Sequence, residues 1–302
     1  MALSIFKAEA PTARRRVRRQ EQRRQNLTTV AFVVILLYFL LPLFWLIVSA
    51  TKSNQDLFTS FGLWFGPHFD FFTNLQTLFT TQDHVFLLWL WNTAYYAVCS
   101  ALGGSLIATL AGYTFAKFRF PGRQVVFWVI LGSMMVPGTC LAVPLYLLLT
   151  QVGLINTPLA VILPSLTNAF GVYLMRVYAE QSVPDELLEA ARIDGAGEFR
   201  ILWAVVMRIL APGFVTVLLF SFVGTWNNYF LPLLVLSKPE LYPLTVGLAA
   251  WNASAQGMGG NSAVLFNVII IGALVSIVPL ILAFLFLQRY WQAGLTFGAV
   301  KS

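Results

Sequence analysis

Six long apolar stretches dominate this sequence, and none carries a charged residue in its central part. They lie at roughly 28–50, 87–116, 124–149, 157–178, 211–236 and 264–288. A helix rises about 1.5 Å per residue and a bilayer core is about 30 Å thick, so about 20 apolar residues suffice to cross it. Each stretch meets that length. Only 10% of the 302 residues are charged, whereas a soluble domain carries about 25%. Charge this sparse cannot cover a core of this size, so lipid must solvate most of the surface. An ordinary soluble enzyme, a disordered chain and a secreted disulfide scaffold are all excluded. The predicted fold class is an all-α integral membrane protein with six transmembrane helices.

The basic residues orient those spans. Arg14, Arg15, Arg16, Arg18, Arg19, Arg23 and Arg24 form a run directly before the first stretch. Lys117, Arg119 and Arg123 follow the second, and Arg176, Arg192, Arg200 and Arg208 flank the fourth connection. Of the 19 basic residues, 17 fall on one side when six spans alternate; only Lys52 and Lys238 fall on the other. Cytoplasmic flanks are enriched in Lys and Arg, so both termini are expected in the cytoplasm. No aromatic residue interleaves the arginine run, so nucleic acid is not an expected partner. The chain divides into a basic N-terminal segment (1–27), a six-helix transmembrane domain (28–289) and a C-terminal tail (290–302). The first apolar run is longer than a signal-peptide core and should remain as an anchor.

Smaller features are more open. The first connection, about 51–86, is rich in Phe and Trp and fits an interfacial segment. His68 and His84 lie there without a ligand cluster, so no metal site is expected. Cys99 and Cys140 sit in apolar stretches as small hydrophobes. Gly104, Ala108, Gly112 and Ala116 put small residues on one face of the second span. Packing within the chain and packing against a partner both fit that stripe. Pro137 and Pro144 interrupt the third span, and either a kink against protein or a water-lined path would accommodate them.

Several chemistries are missing. There is no G-x-x-x-x-G-K-[ST] loop to cradle ATP phosphates, no H-E-x-x-H and no G-x-S-x-G. Ser49-Ala50-Thr51-Lys52 matches S-x-x-K without its companion motifs. An integral-membrane enzyme would need convergent catalytic groups, and none is found. Proton-driven carriers and voltage sensors need charges within the membrane; the centres of these stretches have none. Energy, if the chain's work needs any, should therefore come from outside the chain.

The connection at about 180–210 is long and polar for so hydrophobic a protein. Ser182 with Asp185 reads as a capping box, Pro184 suits a first turn, and Asp185 and Glu186 complement the helix dipole. Gly195 is expected to end the helix in the left-handed conformation. A second amphipathic piece should start near Glu198, with Phe199, Leu202, Trp203 and Val206 on one side.

Glu189-Ala190-Ala191, three further residues and Gly195 resemble the EAA loop of binding-protein-dependent ABC importer permeases. That family's loop continues to a proline where this chain has Arg208. Further runs resemble the carbohydrate branch of the family. They are Pro184-Asp185-Glu186-Leu187, Val136-Pro137-Gly138, Gly153-Leu154-Ile155-Asn156-Thr157 and Thr225-Trp226-Asn227-Asn228-Tyr229. The tail Gly294-Leu295-Thr296-Phe297-Gly298-Ala299-Val300-Lys301 resembles that of maltose-type permeases lacking a large extra outer domain.

The resemblance implies a type I importer permease that moves a sugar or oligosaccharide across a bacterial or archaeal plasma membrane. A permease for a non-sugar solute such as glycerol phosphate is the alternative. Its partners would be a second permease, two cytoplasmic ATPase subunits and an extracellular or periplasmic solute-binding protein. ATP and Mg would belong to the ATPase subunits, with no cofactor in this chain. Glu189, Ala190, Ala191, Asp194 and Gly195 would contact the ATPase. Gly294, Leu295, Thr296, Gly298 and Lys301 would reach between the ATPase subunits. Trp226, Asn227 and Asn228 offer amide and indole groups suited to a sugar, although hydrogen bonding between helices would use them equally well.

Overall fold

The computed structural model describes residues 11–257 and 266–296, all helix and connection with no strand among the described residues. Helices α1 to α4 span Pro11–Ala50, Asn54–Thr59, Phe71–Thr80 and Val85–Lys117. Then come α5 (Arg123–Ser133), α6 (Ala142–Gln151), α7 (Leu159–Ser165), α8 (Ala169–Ser182) and α9 (Asp185–Ile193). The last five are α10 (Glu198–Ile201), α11 (Met207–Trp226), α12 (Phe230–Val235), α13 (Leu244–Ala255) and α14 (Phe266–Thr296). Among the described residues, five helical stretches are long and apolar enough to cross a membrane: Arg24–Ala50, Val85–Lys117, Leu159–Ser182, Glu198–Trp226 and Phe266–Gln288. A sixth candidate is the pair α5 and Gly138–Gln151, bent by 100° at its break.

Two compact units meet in sequence at Asn74–Leu75. In the first, α1 continues without interruption through the basic segment into the apolar stretch. The chain after α1 closes on itself through Lys52, 1% exposed, whose ammonium donates to the Phe61 carbonyl at 2.8 Å. The Asn74 amide donates to the carbonyls of Ala50 and Lys52 at 3.0 and 2.9 Å. Phe58, Phe61, Trp64, Phe65, Phe69 and Phe72 remain exposed, as an interfacial segment requires.

In the second unit α4, α8 and α11 form the core, with Ala108, Met175 and Val217 almost wholly buried. The small-residue stripe of α4 serves packing within this chain. A Cβ added at Gly112 would lie 2.6 Å from the Met175 Cβ and 2.7 Å from the Arg176 backbone N. Such proximity lets backbones pass close together, which in lipid replaces the hydrophobic driving force. Further along, α4 ties down the segment before α13. Trp89 donates to the Pro239 carbonyl at 2.9 Å, Asn92 to Glu240 at 2.8 Å and Tyr96 to Leu241 at 2.9 Å. Thr93 accepts from the Leu244 amide at 2.7 Å. These bonds satisfy backbone groups that would otherwise be buried unpaired.

Three expectations about the spans need correction. The third stretch is not one kinked helix: α5 ends at Ser133, a 3₁₀ turn covers Gly138–Leu141, and α6 starts anew at Ala142. Pro137 lies in that break in an extended conformation. Pro144 lies in the first turn of α6, where its missing N–H costs nothing. The fourth stretch is interrupted between α7 and α8, where Asn168 caps α8 by accepting from the Gly171 amide at 2.7 Å. The fifth begins near Glu198 rather than at 211 and ends at Trp226. The sequence pattern sets the amphipathic piece at 198–206 apart from the span after it, but no residue between them breaks the helix and the two run on as one.

Candidate functional site

The connection between α8 and α11 is built around one buried leucine. Leu188 is 2% exposed and packs into the core cluster with Val183, Ile201, Val206 and Leu210. Ala191, one turn later, and Ala196 pack against the same cluster. The opposite face of α9 is open: Glu186, Glu189, Ala190 and Ile193 are all exposed. These positions recur at helical spacing, so they form one continuous strip. The Ala190-Ala191 pair is therefore divided, with Ala190 facing out and Ala191 against its own chain.

Both ends of α9 differ in kind. At the start, Ser182 does not cap: it is the last residue of α8, and Pro184 holds the cap position with no side-chain hydrogen bond. Proline disfavours helical geometry in the residue before it, which stops α8 at Val183 and displaces the expected capping box. At the end, Gly195 takes φ +78°. Its amide donates to the Arg192 carbonyl, and the Ala196 amide donates to the Ala191 carbonyl, both at 3.0 Å. This pair of bonds is the Schellman closure, and it needs a left-handed residue that glycine supplies without strain. The half-buried Ala191 and Ala196 both pack against the core cluster beside it.

Ion pairs brace the segment. The Lys117 ammonium, at the end of α4, lies 2.7 Å from the Asp185 carboxylate. The hydrogen bond and the charge of Lys117 hold the Asp185 carboxyl below its ordinary value. Arg192 in the last turn of α9 meets Glu198 in the first turn of α10 at 2.7 Å. The Glu198 contact raises the already high pKa of Arg192. Glu180 receives Arg176 at 2.9 Å and Arg123 at 3.8 Å.

After Gly195 the chain departs from expectation in an informative way. Phe199 is 76% exposed and Trp203 43%, with their rings edge to face at 6.1 Å. Ile201 and Val206 are buried instead. The rotation follows from a π-helical turn at Leu202–Val206, where the Met207 amide reaches back to the Leu202 carbonyl. One extra residue in the turn swings the side chains around the axis. The helix is thus distorted just before Arg208 with no proline at that position. Sequence reasoning missed Ile193 and Phe199 as exposed apolar residues; Ile193 is 86% exposed. An isoleucine beside Asp194 on a polar helix was the available signal.

The residues of the fifth stretch separate. Trp226 is 4% exposed, and its indole donates to the Ser276 carbonyl of α14 at 3.2 Å. Asn227 turns back on its own helix, donating to the Val223 carbonyl at 3.0 Å. Asn228 borders a cavity of about 560 Å³ between the α5–α6 break, α7 and α12. Apart from Asn228 and Thr167, the lining is apolar or glycine, with no charged side chain. Gly294, Leu295 and Thr296 fall in the last turn of α14; Gly298 and Lys301 lie outside the described residues.

Residues 104–296 match the family described as "Binding-protein-dependent transport system inner membrane component". The chain belongs to this family. The arabinooligosaccharides transport system permease protein AraQ of Halalkalibacterium halodurans is 31% identical over 87% of this chain and 91% of its own. The lactose transport system permease protein LacG of Rhizobium radiobacter is 30% identical over 87% and 91%. The sn-glycerol-3-phosphate transport system permease protein UgpE of Brucella abortus is 30% identical over 68% and 71%. A solved chain from a bacterial ABC transporter involved in the import of alginate superposes with a TM-score of 0.77 at 25% identity. It covers 90% of this chain and 98% of its own. As a family member the chain is a transport permease of the inner membrane.

Proposed function

We propose that this permease is one of two related membrane subunits of an ATP-driven importer for a sugar or oligosaccharide. The relatives named for arabinooligosaccharides and lactose carry the substrate class. The open strip on α9 carries the coupling. Glu189 and Ala190 would meet a cytoplasmic ATPase subunit, Asp194 and Gly195 would shape the turn, and Ala191 and Leu188 would pass the force to the core. Ile193 and Phe199 would add apolar contact area. Hydrolysis and its Mg would stay in the ATPase pair, while a solute-binding protein would deliver substrate on the other side. The tail from Gly294 to Lys301 would reach between the ATPase subunits.

Charge asymmetry supports six spans with both termini in the cytoplasm, counting the bent pair α5 and Gly138–Gln151 as one span. A rigid link between ATPase closure and the spans would make this a two-state device. Asn228 would lie on the substrate path, because it borders the large cavity. Trp226, held by Ser276, would instead be structural.

A glycerol-phosphate importer is the second reading, favoured by the UgpE relative. The uncharged cavity speaks against it, since a phosphate there would have no counter-charge. Two measurements test the proposal. Tagged chain purified from membranes should bring an ATPase subunit with it; purification alone under mild detergent would contradict the assembly. The partner binding protein should bind an oligosaccharide and ignore glycerol phosphate; the reverse preference would select the second reading.

A further inference from the structure

The coupling segment borders a second and different feature. A polar pocket of about 300 Å³ lies where the end of α4, the start of α5 and helix α9 meet. Lys117, Arg119, Arg123 and Arg192 line it, against only two carboxylates, Asp185 and Glu189. Two of the cations already have partners: Lys117 holds Asp185, and Arg192 holds Glu198, each at 2.7 Å. The other two are underused. Arg119 is exposed and has no ion pair among the described residues. The Arg123 Nε is buried with no hydrogen-bond acceptor, and the Glu180 carboxylate stands 3.8 Å from its Nη2. A buried guanidinium N–H left without an acceptor is costly, and structures normally satisfy it. Helix α5 also opens at Arg123 with no side-chain cap and no acidic residue in its first turn, so its dipole adds positive potential.

We propose that this pocket binds a phosphate-bearing anion, held by Arg119 and Arg123. The group is either the headgroup of an anionic phospholipid or free phosphate. Guanidinium groups match phosphate oxygens in charge and fork geometry. The pocket lies at the end of the apolar helix Val85–Lys117, among the basic residues that flank the spans, and basic pockets between spans suit anionic headgroups. Its occupant would touch the α4–α5 turn and α9 together, so lipid composition would bear on the stiffness of the coupling segment.

The test is native mass spectrometry of the purified complex from micelles of mixed phosphatidylglycerol and phosphatidylcholine. The unaltered complex should retain phosphatidylglycerol selectively. Each arginine removed should weaken retention by about fivefold, in Arg119→Gln and in the pair Arg119→Gln with Arg123→Gln. The pair Arg119→Lys with Arg123→Lys should keep most of it. Arg119→Gln touches no packed group, so it reports even if the double variant fails to fold. A parallel arm titrates inorganic phosphate and reads thermal unfolding. Stabilisation by phosphate that is lost in Arg119→Gln, without lipid selectivity, would name free phosphate as the source. Equal retention of both lipids in every variant, with no phosphate effect, would overturn the proposal.

Discussion

Gly112 and Gly195 show how one residue type does two jobs. At Gly112 space is the constraint, because an added Cβ would press on the backbone of α8. Gly112→Ala should therefore destabilise by about 1–3 kcal/mol, read as an earlier thermal unfolding midpoint in detergent. At Gly195 conformation is the constraint, since a Cβ there meets nothing but φ is +78°. Gly195→Ala should cost about 1–2 kcal/mol, all of it local to the end of α9, visible as faster amide exchange at Ala196. Asp185 makes a further residue-scale prediction. Its carboxyl is depressed by Lys117, so the pair contributes above the ordinary carboxylate value of about 3.9. That contribution fades as pH falls through the lower folded value and does not change near neutrality. Carbon-13 NMR of labelled aspartate should show Asp185 titrating low, and Lys117→Met should return it to the ordinary range. Trp226→Phe should lose one hydrogen bond, about 0.6 kcal/mol in a membrane setting, and leave substrate preference unchanged. Asn228→Ala should alter uptake.

Among elements, α9 was the most legible from sequence. The acidic first turn, the glycine end and a new start at Glu198 all stand in the structure because short-range rules govern them. Ser182 misled, because the previous helix runs through it and the proline two residues later takes the cap position of the next. The rotation of Phe199 and Trp203 to the outside was not legible at all. A π turn depends on what the helix packs against, and periodicity assumes 3.6 residues throughout. Pro137 marked an interruption of the third span, but not that the helix stops there and starts anew, because a window of apolar residues reports composition, not continuity. The α4 stripe left two packing readings open, and only the position of α8 decided between them. Leu188 is the element's anchor. Leu188→Ala should cost about 2–5 kcal/mol of packing and detach α9 from the core. Limited proteolysis in the 183–197 connection should then accelerate, while membrane insertion stays intact.

For the whole molecule, sparse charge proves informative by its placement. Apolar stretches identify the membrane, basic residues gather on the flanks that the proposed topology puts in the cytoplasm, and the acidic residues Asp185, Glu186, Glu189, Asp194 and Glu198 gather on one connection. On this account the chain holds no energy source and receives its drive through the exposed strip of α9. The most direct test reconstitutes the full complex in liposomes and measures ATP hydrolysis and oligosaccharide uptake together, with Glu189 unaltered and as Glu189→Lys. The account predicts that hydrolysis persists in the variant while uptake per ATP collapses. Uptake per ATP equal to that of the unaltered complex would contradict it.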